Sequence, residues 1–103
     1  MSEHFNKLTP AEAERLAILA EECGEVIQAV GKILRHGYES KHPADTTAPN
    51  NRGALERELG DVQAIIAMMK SFKDVSRVEI AVAESTKKIK VVRYMHHHEE
   101  ATV

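Results

Sequence analysis

From Leu16 to Leu34, apolar residues recur every third or fourth position, through Leu19, Ala20, Cys23, Val26, Ile27, Val30 and Ile33. This is the period of a helix with one apolar stripe, and no strand-like alternation competes with it. The start is also marked. Thr9 is a side chain suited to capping, Pro10 fits the first helical position, and Glu12 completes a capping box. Gly37 is a natural stop. The pattern predicts a helix over residues 10–36.

Residues 37–53 carry Gly37, Pro43, Asp45, Pro49, Asn50, Asn51 and Gly53, and no period survives among them. A connection this long without secondary structure is uncommon in a compact domain and marks a lid, a binding loop or a partly disordered segment. A second helix is expected over 52–72, with Asn51 as its cap and Leu55, Leu59, Val62, Ile65, Ile66, Met69 and Phe72 as its stripe. After a break at Lys73-Asp74, a third is expected over 75–96, with Val75, Val78, Val82, Ser85, Ile89, Val92 and His96 in line. Ile80, Val91 and Tyr94 lie off that line and give the third helix a second apolar face, which a monomer would leave wet. The fold class is therefore all-α. We expect an antiparallel bundle of three long helices with a minor N-terminal segment, completed by oligomerisation. At 103 residues the chain reads as one domain, 1–103, with a polar tail over about 97–103.

Composition excludes several classes of function. Net charge is −2, which speaks against a general phosphate-backbone binder of nucleic acid. No apolar run reaches the roughly 18 residues of a membrane span, and the polar start, Met1 to Leu8, has no signal-peptide core. The single cysteine, Cys23, rules out an intramolecular disulfide and a cysteine-rich zinc cluster, so a cytoplasmic protein is expected. Cys23 falls in the apolar stripe and reads as buried and unreactive.

The chemistry lies in two acidic segments, Glu21-Glu22-x-x-Glu25 on the first helix and Glu58-x-x-Asp61 on the second. Residues three apart share a helix face. At about 100° per residue, with Leu16 at zero, Glu22 falls at about 240°, on the border of the apolar arc, and Glu25 lies beyond it at about 180°. With Leu55 at zero, Glu58 falls at about 300°, inside the arc of the second helix, and Asp61 at about 240°. An ionised carboxylate among apolar neighbours is costly unless it is paired or holds a metal. If the stripes face each other, Glu22, Glu25, Glu58 and Asp61 converge. Such a cluster repels itself without a cation, and its hard oxygen ligands suit Mg²⁺ or Mn²⁺. A solvated acidic face, or a Glu58 paired with a base from the third helix, is the plainer alternative. A di-iron bundle would want a Glu-x-x-His pair, which neither segment has.

Leu19-Ala20-Glu21-Glu22-Cys23-Gly24-Glu25-Val26, followed by Glu56-Arg57-Glu58-Leu59-Gly60-Asp61-Val62, resembles the MazG-like branch of the all-α NTP pyrophosphatases, over roughly residues 10–95. The resemblance implies Mg²⁺-dependent hydrolysis of nucleoside triphosphates between the α and β phosphates by a dimer or tetramer. It implies Glu22, Glu25, Glu58 and Asp61 as metal ligands, with Glu21 assisting the attacking water or supporting the ligands. Lys88-Ile89 is similar to the family's Lys-aromatic segment, which assigns Lys88 to phosphate, with Lys87, Lys90 or Arg93 as alternatives. The chain departs from the pattern in its longer gap between the acidic halves, in Ile89 where an aromatic is common, and in Val91 and Val92 in a stretch often basic. Phe5 and Tyr38 are candidates to stack on a base, with Arg35, His36 and Asn51 as further candidates for base recognition. Two other functions fit the same residues: a phosphoribosyl-ATP pyrophosphohydrolase, and a non-catalytic helical oligomer whose acidic face binds an ion or a partner.

Overall fold

A computed structural model describes residues 5–97; the first part of the N-terminal segment and the tail from His98 onward lie outside the described residues. Three α-helices form, α1 (Pro10–His36), α2 (Asn51–Ser71) and α3 (Arg77–Val91), and a 3-10 turn, Val92–Tyr94, follows α3. No strand occurs among the described residues. No described helix is long and apolar enough to cross a membrane.

The first helix has its expected bounds, and its ends show why. The Thr9 hydroxyl accepts the Glu12 N–H at 3.1 Å, while the Glu12 carboxylate accepts the Thr9 N–H at 2.8 Å. Two donors that the helix cannot satisfy internally are thereby satisfied. At the other end Gly37 adopts φ 87°, ψ 167°, a conformation open essentially to glycine, and its N–H donates to the Ile33 carbonyl at 2.7 Å.

The second helix starts one residue earlier than expected. Asn50, not Asn51, supplies the capping oxygen, accepting the Gly53 N–H at 2.9 Å. A Cβ at Gly53 would lie 3.1 Å from the Cβ of Pro49, so this first turn favours glycine. Asn51 instead ties the loop shut. Its side chain donates to the Gly37 carbonyl at 3.0 Å and its N–H to the Ser40 carbonyl at 2.8 Å. The third helix is shorter than expected, starting after a Ser76 cap whose hydroxyl accepts the Glu79 N–H at 3.1 Å and tightening into the 3-10 turn at Val92.

The chain divides into two units, one ending at Met69 and the other beginning at Lys70. In the first, α1 and α2 run in opposite directions. The end of α1 meets the start of α2 through Asn51 and Gly37, and the acidic segment of α1 meets that of α2 further along. Buried and half-buried positions on α1 include Glu12, Arg15, Leu19, Glu22, Val26, Ala29 and Ile33; those on α2 include Asn51, Leu55, Glu58, Val62, Ile65 and Met69. Both series step by three and four, the spacing of a helix–helix seam. Ala29 and Met69 are its most buried members.

This seam does not coincide with the stripe read on α1. It spans about 180° to 320° from Leu16, which puts Glu22 well inside it and takes Glu25 in at one edge. The other half of the stripe is uncovered: Ile27 is 72% and Leu34 82% exposed, with Leu16 and Val30 near 40%. Cys23 lies on that uncovered half and is exposed, contrary to the expectation of a buried thiol. The stripe of α1 is too wide for one neighbouring helix and serves two faces. In the second unit, the α3 stripe is likewise uncovered, with Val78 69% and Ile89 65% exposed, whereas Ile80 and Val91 are half-buried.

The loop of residues 37–50 has no secondary structure but is fastened at its ends. Besides the Asn51 bonds, the Arg52 N–H reaches the Tyr38 carbonyl at 2.9 Å. The Arg52 guanidinium binds Glu39 at 2.7 Å and lies 4.3 Å from the Tyr38 ring centre. Within the loop, the Thr47 hydroxyl and N–H hold the Asp45 carboxylate at 2.7 and 3.0 Å and lower its pKa.

Candidate metal centre

Two helices carrying acidic pairs one turn apart, packed in opposite directions, bring four carboxylates to one place. One oxygen from each of Glu22, Glu25, Glu58 and Asp61 lies within 4.8 Å of the others. The first three are half-buried and Asp61 is exposed. Leu19, Val26, Leu55 and Val62 flank them along the seam. This is the set expected from the sequence, and Glu58 lies inside the apolar arc as its angular position required.

The electrostatics follow from crowding. The pKa of Glu58 is raised, first by a hydrogen bond with Glu25, then by loss of solvent, then by the negative charges of Glu25 and Asp61; Arg57 acts weakly in the opposite sense. One oxygen of Glu22 and one of Glu58 are shielded from water with no hydrogen-bond partner among the described residues. Shielded carboxylate oxygens are normally satisfied, and leaving two orphaned in one cluster is unfavourable. A divalent cation would satisfy both and remove the repulsion. The donor set, all carboxylate oxygen with no His or Cys, fits a hard ion.

The other candidates are placed differently. Glu21 is exposed and lies outside the cluster, about 100° around the helix from Glu22. Tyr38 is engaged by Arg52 at the base of the loop. Phe5 is 91% exposed. On α3, Lys88 pairs with Glu84 at 3.2 Å, one turn earlier, and Lys87 is exposed, as is Arg93 in the turn that follows. Gly24 and Gly60 sit beside the carboxylates in sequence, and close approach of the helices is the natural reason for glycine there. Among the described residues, a Cβ at either would meet nothing within 4 Å, so packing against them does not account for the glycines.

Sequence reasoning passes over Lys32. It follows Glu25 by seven residues, which places it on the same face of α1 two turns on. With Glu25, Gln28 and Ala29 of α1, and Asn51, Ala54 and Glu58 of α2, it lines a cleft of about 300 Å³ beside the acidic cluster. The seven-residue spacing is the signal that could have found it.

Comparison with protein-family models matches residues 11–96 to the MazG nucleotide pyrophosphohydrolase domain. The chain belongs to the MazG family. Both acidic segments, the connecting loop and α3 fall inside the MazG match. No curated protein and no solved structure matches the chain.

Proposed function

We propose that this MazG protein is a cytoplasmic, Mg²⁺-dependent hydrolase that cleaves nucleoside triphosphates between the α and β phosphates. The observation that carries this reading is the convergence of four carboxylates with two shielded, orphaned oxygens. Glu22, Glu25, Glu58 and Asp61 would hold the ion, Mg²⁺ by preference, with Mn²⁺ able to substitute. Held by these residues, a divalent cation would supply polarisation of the α-phosphoryl group and positive charge for the leaving oxygens.

In the reaction, a water oxygen bonds to the α phosphorus, and the bond from that phosphorus to its bridging oxygen breaks. The bridging oxygen leaves with pyrophosphate, and the proton from water passes to a carboxylate and then to solvent. Glu21, adjacent to Glu22 in sequence and itself solvated, is the carboxylate we assign to that proton. Leu19, Val26, Leu55 and Val62 hold the carboxylates between apolar neighbours, where their charge is less screened. Lys88, with Lys87 and Arg93 near it in sequence, supplies positive charge to phosphate, and Tyr38 or Phe5 supplies a ring for the base.

We further propose that the protein is a homo-oligomer. The exposed halves of the stripes, Ile27 and Leu34 on α1 and Val78, Val82 and Ile89 on α3, support a second copy covering them. Light scattering coupled to size exclusion tests this, and a monomer at micromolar concentration would refute it.

The reaction is tested by ³¹P NMR of products from a panel of ribo- and deoxyribonucleoside triphosphates, with phosphoribosyl-ATP included. We expect monophosphate and pyrophosphate. Diphosphate and orthophosphate would place the cut at the wrong bond, and no product from any substrate would favour a non-catalytic protein.

A further inference from the structure

A second cleft, of about 590 Å³, opens between the last turns of α1, the loop and the first turns of α2. This is within the size range of small-molecule sites. Its walls carry Lys32, Arg35, Lys41 and Arg57, with His36 and His42, and among the described residues none that lines it is acidic. The whole chain has a net charge of −2, so the absence of acid here is a local feature. Among the described residues, Lys32, Arg35 and Lys41 make no ion pair, whereas Arg52 and Lys88 are each matched by a glutamate. The cleft joins the acidic site. Lys32, Asn51 and Ala54 line both it and the smaller cleft that holds Glu25 and Glu58. One continuous surface thus passes from Glu25 and Glu58 of the acidic cluster to four cations.

The lining narrows the ligand. It contains no Phe or Tyr on which a base could stack, and three of its cations have no ionic partner among the described residues. Guanidinium and ammonium groups converging on a depression match the oxygens of a polyphosphate. We infer that this cleft is the subsite for the β and γ phosphates, with Lys32, Arg35 and Arg57 of the helices and Lys41 of the loop holding the pyrophosphate group as it leaves. This rests on the proposed hydrolase reading for the direction of cleavage. In this placement the cations meet the negative charge that grows as the bridging anhydride bond breaks, so they bind the leaving group more strongly than the intact triphosphate. The fastening of the loop to α2 holds Lys41 and His42 in the wall of this cleft.

The test is calorimetric titration of inorganic pyrophosphate into the full-length protein in EDTA, at low salt. The proteins are wild type, Lys32→Ala/Arg35→Ala, Lys41→Ala and Glu58→Gln, with helical content checked by circular dichroism. We expect wild type to bind and the double variant to bind at least tenfold more weakly. Lys41→Ala should show a smaller loss, and Glu58→Gln should bind at least as tightly as wild type. Binding that is absent, or equal in all four, overturns the inference, as does displacement of pyrophosphate by an unphosphorylated nucleoside. If triphosphates are never hydrolysed yet the lysine- and arginine-dependent binding persists, the hydrolase reading fails and the polyphosphate site stands. If hydrolysis proceeds and pyrophosphate binding ignores these cations, the reverse holds.

Discussion

Glu58→Gln separates a metal site from a structural carboxylate cluster, because the two accounts predict opposite changes in stability. The substitution keeps volume and removes one negative charge from a group whose ligand oxygens all lie within 4.8 Å of one another. Without metal, repulsion falls, and the variant should melt at or above the wild-type temperature. With metal, a site that loses one of four ligands should weaken by at least about 100-fold, the upper end of what indirect supporting groups cost. At a concentration 100 times its dissociation constant, Mg²⁺ stabilises the wild type by about 2.7 kcal/mol. For a chain of about 100 residues, each 1 kcal/mol moves the melting temperature by about 4–8 °C, so the wild-type shift is on the order of 10–20 °C. At the same Mg²⁺ the weakened variant is only half saturated and gains about 0.4 kcal/mol, a shift of about 2–3 °C. Differential scanning fluorimetry with and without Mg²⁺ reads both numbers. Equal shifts in the two proteins would refute the ligand assignment. A metal-free variant that melts well below wild type would make Glu58 part of a stabilising pair.

Acidity should act on the same cluster in a defined direction. A raised Glu58 pKa means that the folded, metal-free protein binds a proton more readily than the unfolded chain does. The resulting stability is fully present below the ordinary glutamate pKa of 4.5 and is lost as pH rises through the raised folded value. Melting of the metal-free protein at graded pH should therefore show a gain on mild acidification, which Mg²⁺ abolishes; a monotonic loss from neutral pH down would contradict it. Gly24→Ala should stabilise by about 1 kcal/mol, since a Cβ there meets open space and glycine inside a helix costs that much. A melting temperature lower than wild type would show that another copy approaches that face.

The limits of α1 and the carboxylate set are legible in the sequence because each depends on local chemistry. Thr9, Glu12 and Gly37 define α1 through bonds made within one turn. The i, i+3 spacing of Glu22 with Glu25 and of Glu58 with Asp61 fixes a shared face whatever the tertiary fold. The features that differ from expectation depend on longer range. Asn50 and Asn51 are chemically identical candidates for a cap, and only the closing of the loop onto Gly37 and Ser40 decides between them. The apolar stripe of α1 spans two faces. Periodicity gives its centre but not the half that meets α2, so it places Glu22 at a border rather than in the seam and Cys23 inside rather than outside. The cationic cleft is invisible to periodicity because Lys41 comes near Lys32 and Arg57 only through the fold of a loop without period.

The central claim is that the four carboxylates form a metal-dependent catalytic centre for pyrophosphate release. The most direct measurement is the rate of pyrophosphate release from nucleoside triphosphates across a Mg²⁺ titration, with wild type and Glu58→Gln side by side. We expect no release without Mg²⁺, saturable release with it in wild type, and a loss of at least about 100-fold in the variant while its helices stay folded, in line with the loss of one ligand. Full activity in Glu58→Gln, or release that ignores Mg²⁺, would contradict the claim.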